Sequence, residues 1–278
     1  MGRFDGYLIC TDLDGTLLNN AFKISPENEK AIRYFQAEGG RLTFVTGRLY
    51  YFAQDSYDLV KPNAPIGTSN GGSVYDFDNH SYIWSTTVDP SYVELLELVE
   101  REMPEVGFHV NTPDEIFFCH ENYTMEAFRW VTGVPYQYAD YRTLDKPIMK
   151  AVFGSAEPEG YTPESVARLE ALLRSHPKAD RFQFVRSTPT IFEILPKGIH
   201  KGTVLPIIAK HLGIREDRVI AIGDYDNDAG MLRTAHLGVA VANATERAKA
   251  AADMITVSNE EHALARLIHD LEAGNLPL

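Results

Sequence analysis

Apolar residues in this chain fall into short runs bounded by turn residues, and the spacing inside each run predicts its element. "YLIC", Tyr7 to Cys10, is an unbroken apolar run, the pattern of a strand buried on both faces, and it breaks into Asp12, Leu13, Asp14, Gly15 and Thr16. "ISPENEKAIRYFQAEGG" follows, with Ser25 as N-cap, Pro26 at the first helical position and a stripe of Ala31, Ile32 and Phe35. Gly39 and Gly40 stop that helix, and "RLTFVTGR" predicts a second strand ending in Thr46, Gly47 and Arg48. Strand, helix and strand in this order imply a parallel pair joined by a crossover helix.

The last third repeats the rhythm. "KGTVLPIIAKHLG" places Val204, Leu205, Ile208, Ala209 and Leu212 at helical spacing before Gly213, and "RVIAIGD" reads as a buried strand ending in Asp224. "LGVAVAN" and "DMITVS" read as short strands separated by the helix "TERAKAAA", with a terminal helix beginning near Glu260. Between these halves, from about Trp84 to Thr190, aromatics and prolines increase. Strands such as "EIFFCH", "KAVFGS" and "RFQFVRS" alternate there with helices such as "PSYVELLELVEREM" and "TPESVARLEALLRSH". The chain is therefore expected to be α/β: a doubly wound, Rossmann-like, mostly parallel sheet core built from residues 1–84 and 191–278, with an α+β domain inserted over residues 85–190. Phe117, Phe118 and Trp130 read as core of that insertion.

Composition narrows the function. With 278 residues, 44% of them hydrophobic and 23% charged, the chain is long enough for two domains and has no apolar stretch of bilayer length. Twenty-six basic against thirty-nine acidic residues leave a net charge of −13, which argues against a nucleic-acid surface and means that an anionic substrate must be met by local groups. Cys10 and Cys119, the only cysteines, form no disulfide framework. With no signal-peptide pattern in "MGRFDGY", a cytoplasmic protein is expected, as a monomer or small homo-oligomer.

Ligands of open parallel sheets bind beyond the carboxyl ends of the strands, so the residues to collect are Asp12 and Asp14, Thr46, and Asp224 with Asn227 and Asp228. Two carboxylates two apart in an extended segment repel each other unless a cation lies between them or one holds a proton. Several carboxylates in one crevice make a hard-oxygen site suited to Mg²⁺. Asp12 is placed to act as a nucleophile toward phosphorus, and Asp14 to protonate the leaving oxygen and later accept a proton from water. Thr46 offers a hydroxyl, Gly47 a backbone N–H, and Lys201, at a helix start, a compact positive charge for a phosphoryl group. Lys197, in the same "LPKGIHKG", is the rival lysine. Asn70-Gly71-Gly72, Asn243 and the scattered histidines 109, 120 and 200 read as turn, surface or ordinary structural residues.

"DLDGT", "FVTGR", the lysine of "HKGTVL" and "GDYDND" resemble, in order and spacing, the four motifs of the haloacid dehalogenase superfamily, specifically its Cof-like phosphatases with a large inserted cap; "SNGG" and "GVAVANA" are also similar to that subgroup. The resemblance implies a phosphatase acting on a small phosphorylated metabolite, such as a sugar phosphate or phosphorylated cofactor. It implies Asp12 as nucleophile and Asp14 as general acid/base, with Mg²⁺ held by the Asp12 carboxylate, the Asp14 main-chain carbonyl and Asp224. Thr46 and Lys201 would bind the phosphoryl group, and Asn227 and Asp228 would complete the site, Asp228 by orienting Lys201 or metal-bound water. The alternatives are a phosphomutase and a catalytically silent phosphometabolite sensor. Tyr225 and Asp226 depart from the subgroup's fourth motif, and "NEEH" at Asn259 to His262 replaces its usual "NEDG", a change expected to touch only the surface.

Overall fold

The structure, a computed structural model, describes residues 2–155, 163–188 and 191–278. It divides into two compact units, one running to Ser85 and resuming at His200, the other spanning Thr86–Ile199. The first stretch carries β1 (Leu8–Thr11), α1 (Pro26–Ala37), β2 (Arg41–Phe44), α2 (Gln54–Val60), β3 (Ile66–Thr68), β4 (Ser73–Asp76) and β5 (Ser81–Ser85). The second unit carries α3 (Tyr92–Glu102), β6 (Val106–Asn111), β7 (Ile116–His120), α4 (Tyr123–Thr132), β8 (Gln137–Tyr138), β9 (Lys150–Ser155), α5 (Pro163–Ser175), β10 (Phe182–Arg186) and β11 (Ile191–Pro196). The chain then returns with α6 (Val204–Leu212), β12 (Val219–Gly223), α7 (Ala229–Thr234), β13 (Leu237–Ala240), α8 (Glu246–Lys249), β14 (Met254–Ile255) and α9 (Ala263–Glu272).

The first unit is the expected α/β core. Its main sheet runs β14-β13-β12-β1-β2, every pair parallel. Strand order reverses between β1 and β12, the place where an open parallel sheet leaves a crevice beyond its carboxyl ends. Leu8 pairs with both Val219 and Arg41, and Thr11 with both Ile222 and Phe44, so β12, β1 and β2 end level. Asp12, Thr46 and Asp224 therefore emerge along one edge. Both faces of β1 are buried, which is why it reads as a continuous apolar run.

Local chemistry explains the flanking helices. In α1, Ser25 Oγ accepts from Asn28 N at 3.2 Å, Pro26 occupies the first turn, and Ile32 and Phe35 are buried. Asn28, which an apolar-stripe reading skips, is also buried, and its Oδ1 accepts from Ala265 N of α9 at 2.9 Å. The "KGTVL" helix begins as a tight turn at Lys201–Thr203 before α6, which ends at Gly213 with φ 68.

The second unit is built on a six-stranded sheet, β10-β11-β9-β6-β7-β8, antiparallel except for the β7–β8 pair. Phe108, Val110, Ala151, Phe153, Phe192 and Ile194, from one set of alternating positions, share a core with Leu95, Leu96 and Val99 of α3 and Val166, Leu169 and Leu173 of α5. The other set carries buried polar groups, with Lys150 Nζ 3.0 Å from Glu193 Oε2 and His109 Nδ1 2.7 Å from Asn111 Oδ1.

Two expectations differ here. The second boundary, set at residue 190, itself outside the described residues, falls at Ile199, because β11 pairs with β9 and β10 and so belongs to the inserted unit. Trp130 is 84% exposed on α4 rather than core, whereas Phe117 and Phe118 are buried. The first residue of the expected "TPESV" helix, Thr162, lies outside the described residues. Among the described residues, no helix is long and apolar enough to cross a membrane.

Candidate active site

Asp12 follows β1 directly. Its N–H donates to Ile222 O at 2.9 Å, so the sheet ladder continues one residue past the strand and fixes the carboxylate between β1 and β12. Gly15 then turns the chain at φ +79; a Cβ there would stand 2.5 Å from Asp224 Oδ2, so glycine is required for both conformation and space. Thr16, buried behind this turn, donates its hydroxyl to Asp224 Oδ1 at 2.8 Å and links the first motif to the fourth.

Lys201 stands at the centre. Only 1% exposed, it places Nζ 2.7 Å from Asp12 Oδ1 and 2.7 Å from Asp228 Oδ1. Its turn is capped by His200, whose Nδ1 accepts from Gly202 N at 3.1 Å. Lys197 is exposed and lies 4.0 Å from Asp180, whereas the Lys201 ammonium meets Asp12 and Asp228. Asp228 Oδ2 accepts from the backbone N–H groups of Asp224 at 3.0 Å and Tyr225 at 2.9 Å, so both its oxygens are engaged.

Carboxylate oxygens of Asp12, Asp224 and Asp228 lie within 4.8 Å of one another. Three carboxylates around one ammonium leave an excess of negative charge in a buried place. Burial first, then the charge of Asp228, holds the Asp12 carboxyl well above the usual carboxylate range, against the pull of Lys201. Burial and then Asp228 push Asp224 up to about 7, against the hydroxyl of Thr16. Burial works against the charged form of Lys201, but Asp12 and Asp228 outweigh it and keep the ammonium charged. The cluster is thus short of positive charge, and its donors are all hard oxygens, which fits a divalent cation such as Mg²⁺. Among the described residues no hydrogen bond reaches Asp12 Oδ2 or Asp224 Oδ2, so these two carboxylates are the ones with an open oxygen.

Asp14 is not part of that cluster. Its carboxylate is gripped by Arg48 Nη2 at 2.7 and 2.8 Å, and Arg48 is itself held by Ser56 Oγ at 3.3 Å and the ring of Phe52. Thr46 is buried, with Oγ1 accepting from Arg48 N at 3.2 Å, so the hydroxyl proton is still to be donated. Asn227 Nδ2 donates to Asn70 Oδ1 at 3.1 Å. Asp12, Asp14, Thr46, Gly47, Asp224, Asn227 and Asp228 lie in the first unit just beyond the ends of β1, β2 and β12, and Lys201, in the same unit, opens the turn that leads into α6.

A sequence profile of haloacid dehalogenase-like hydrolases matches residues 9–268. The chain belongs to the haloacid dehalogenase-like hydrolase family. It is similar to YxeH of Bacillus subtilis, at 30% identity over 279 residues covering 95% of this chain and 97% of the relative. It is also similar to the 5-amino-6-(5-phospho-D-ribitylamino)uracil phosphatase YcsE of the same organism, at 27% identity covering 94% of each. Among solved structures, a haloacid dehalogenase-like hydrolase from Bacteroides thetaiotaomicron superposes with a TM-score of 0.79 at 25% identity, covering 95% of this chain and 99% of that one.

Within this haloacid dehalogenase-like site, sequence reasoning overlooked several supports. Arg48 was visible only as a strand end, Thr16 only as the end of a turn. Asn243, which reads as a turn residue in the sequence, donates from Nδ2 to Gly15 O at 2.8 Å and accepts at Oδ1 from Asn259 N at 3.0 Å, so "NEEH" reaches the first motif through its asparagine. At the "NEEH" change, His262 adopts φ 63, a left-handed conformation that the usual glycine would take without strain. Asp226 is tied to Thr245 Oγ1 at 2.9 Å. Position marks some of these residues, since Thr16 and Asp226 stand two residues from a motif aspartate and Arg48 two from Thr46, whereas Asn243 and Asn259 have no motif carboxylate near them in the chain.

Proposed function

We propose that this hydrolase is a Mg²⁺-dependent phosphatase that cleaves small phosphomonoesters through an aspartyl-phosphate on Asp12. The observation that carries the reading is Lys201 Nζ, buried and 2.7 Å from both Asp12 and Asp228 beneath the ends of β1 and β12. It orients a carboxylate and pulls it toward the charged form where the sheet leaves its crevice, as a nucleophile requires. Mg²⁺, held by Asp12 and Asp224 with the Asp14 main-chain carbonyl, would supply positive charge for the phosphoryl oxygens.

The steps divide among the residues. Asp12 forms the new O–P bond as the ester O–P bond breaks, and Asp14 gives the departing oxygen its proton. Asp14 then takes a proton from water, whose oxygen attacks phosphorus and returns Asp12 as a free carboxylate. Arg48 uses one lone pair of each Asp14 oxygen, leaving others open for that proton. Thr46 Oγ1, the Gly47 N–H and Lys201 bind the phosphoryl oxygens. The substrate class, a small phosphorylated metabolite, is supported by the name of the relative YcsE, and the two unpaired cysteines support a cytoplasmic setting.

The test is inorganic phosphate release from p-nitrophenyl phosphate and a panel of sugar phosphates and phosphorylated cofactors, with Mg²⁺ or with EDTA. Release is expected only with the metal and is abolished by Asp12→Asn. Release that survives EDTA or Asp12→Asn would overturn the mechanism, and isomerisation of a sugar phosphate with little phosphate released would make the chain a mutase.

A further inference from the structure

The "SNGG" turn, which the sequence presents as a simple chain reversal, has a conformation that such a reversal does not need. Ser69 and Asn70, both buried, adopt consecutive left-handed conformations with φ 53 and φ 54, although Gly71 and Gly72 stand next to them. Left-handed backbone is unfavourable for residues bearing a Cβ and persists where surrounding contacts impose it, most often beside a functional site. Here the contacts reach three of the four motif segments. Asn70 N donates to Thr46 O at 3.0 Å, and Ser69 N donates to Arg48 O at 3.0 Å, so the turn holds both ends of Thr46-Gly47-Arg48. A Cβ on Gly47 would stand 3.2 Å from both polar atoms of the Asn70 amide. A Cβ on Gly71 would stand 2.0 Å from His200 O and 3.0 Å from Lys201 Cα, so the turn also abuts the backbone that launches Lys201. Asn70 Oδ1 accepts from Asn227 Nδ2 at 3.1 Å, which brings in the fourth motif. Asn227 Oδ1 and Ser69 Oγ are buried without a hydrogen-bond partner among the described residues, so polar groups beside Asn70 remain to be satisfied.

We infer that Asn70 is a positioning residue for phosphoryl binding: its amide sets Asn227 and the Thr46-Gly47 loop in register with Lys201. The inference rests on the phosphatase reading. Asn70 acts through Thr46, Gly47 and Asn227. Asparagine suits the place because it tolerates left-handed backbone better than other residues with a Cβ while presenting a carboxamide acceptor to Asn227.

The test is Asn70→Gly, which keeps the left-handed backbone and its N–H to Thr46 O and removes only the amide. Wild type and variant are compared for Kd of inorganic phosphate in the presence of Mg²⁺, for kcat and KM on the best ester of the panel, and for Tm. Expected are an unchanged fold, phosphate binding weakened about 10- to 100-fold, and a matching loss in kcat/KM carried mainly by KM, the size typical of losing a group that orients binding residues. In an Asn227→Ala background the same substitution costs less, because one of its routes is already gone. Phosphate affinity and KM within twofold of wild type would overturn the inference, as would a lowered Tm with reduced kcat at unchanged KM and Kd, which marks a merely structural turn. A wild type that binds phosphate but releases none from any ester overturns the phosphatase reading instead, and the phosphate Kd of Asn70→Gly still decides the role of Asn70.

Discussion

Asp14→Asn separates the two carboxylates of "DLDGT" most sharply. The substitution exchanges one oxygen for an amide nitrogen of nearly the same size, on a side chain that is 45% exposed and whose hydrogen-bond partner is Arg48. Losing one arm of that partly exposed pair costs about 0–1 kcal/mol, so Tm should fall by no more than a few degrees. Catalysis should suffer far more. A positioned proton donor and acceptor contributes about a hundred- to ten-thousand-fold, which corresponds to about 3–5 kcal/mol in the barrier. The loss divides by leaving group. p-Nitrophenolate departs without a proton, so formation of the phosphoryl-enzyme on Asp12 stays fast while its hydrolysis, which needs Asp14 as base, becomes slow. Stopped-flow absorbance should show a burst of about one p-nitrophenolate per enzyme followed by a slow steady state, whereas a sugar phosphate, which needs the proton first, shows no burst. The Mg²⁺ concentration for half-maximal activity should stay where it is in the wild type, because the Asp14 side chain lies outside the Asp12, Asp224 and Asp228 cluster. Turnover within tenfold of wild type, or a loss explained by weaker Mg²⁺ binding, would refute the assignment of proton transfer to Asp14.

Two further outcomes concern stability. His109, packed between Phe118 and Phe128 with Nδ1 on Asn111, has its pKa lowered to about 3 by burial and then by Lys150. The unfolded chain binds a proton there below about pH 6.5 and the folded chain does not, so stability is lost as pH falls from about 6.5 toward 3, at about 1.4 kcal/mol per pH unit. His109→Gln should flatten that slope in denaturant titrations of the full chain, and an unchanged slope would place the acid sensitivity elsewhere. His262→Gly removes the side chain from a residue at φ 63 and gives up only a 3.7 Å approach to Glu27, so it should stabilise by about 1 kcal/mol, read as a Tm a few degrees higher; a lower Tm would show that the ring makes a contact of greater value.

The parallel core was legible because its strands are buried on both faces and its helices carry caps. β1 reads as four apolar or small residues in a row, and α1 and α6 carry Ser25, Pro26 and Gly213 at their boundaries. β11 is not separable from the core in the sequence, because "IFEILP" is a mostly apolar run that suits a strand of either unit; only its pairing with β9 and β10 assigns it. Trp130 is exposed for a related reason, since aromatic content says that a residue can be buried and not that a partner face exists for it.

The site shows the same division between what spacing carries and what only the fold decides. Asp12, Thr46 and Asp224 were visible because each follows a strand, and level strand ends in a parallel sheet bring such residues to one edge whatever the loops between them do. Lys201 needed one more step, a helix start, and the turn at Lys201–Thr203 supplies it. Arg48, Thr16 and Asn70 had no such marker. Their roles come from contacts across 34, 208 and 157 positions of chain, with Asp14, Asp224 and Asn227 respectively. A left-handed pair at Ser69 and Asn70 goes against the local preference of those residues, so local reasoning assigns the turn to Gly71 and Gly72. Such conflict between local preference and observed backbone is expected where the fold sacrifices some stability to hold a functional geometry. For that reason a turn that departs from the rule is a better guide to the residues proposed to bind the phosphoryl group than the turns that obey it.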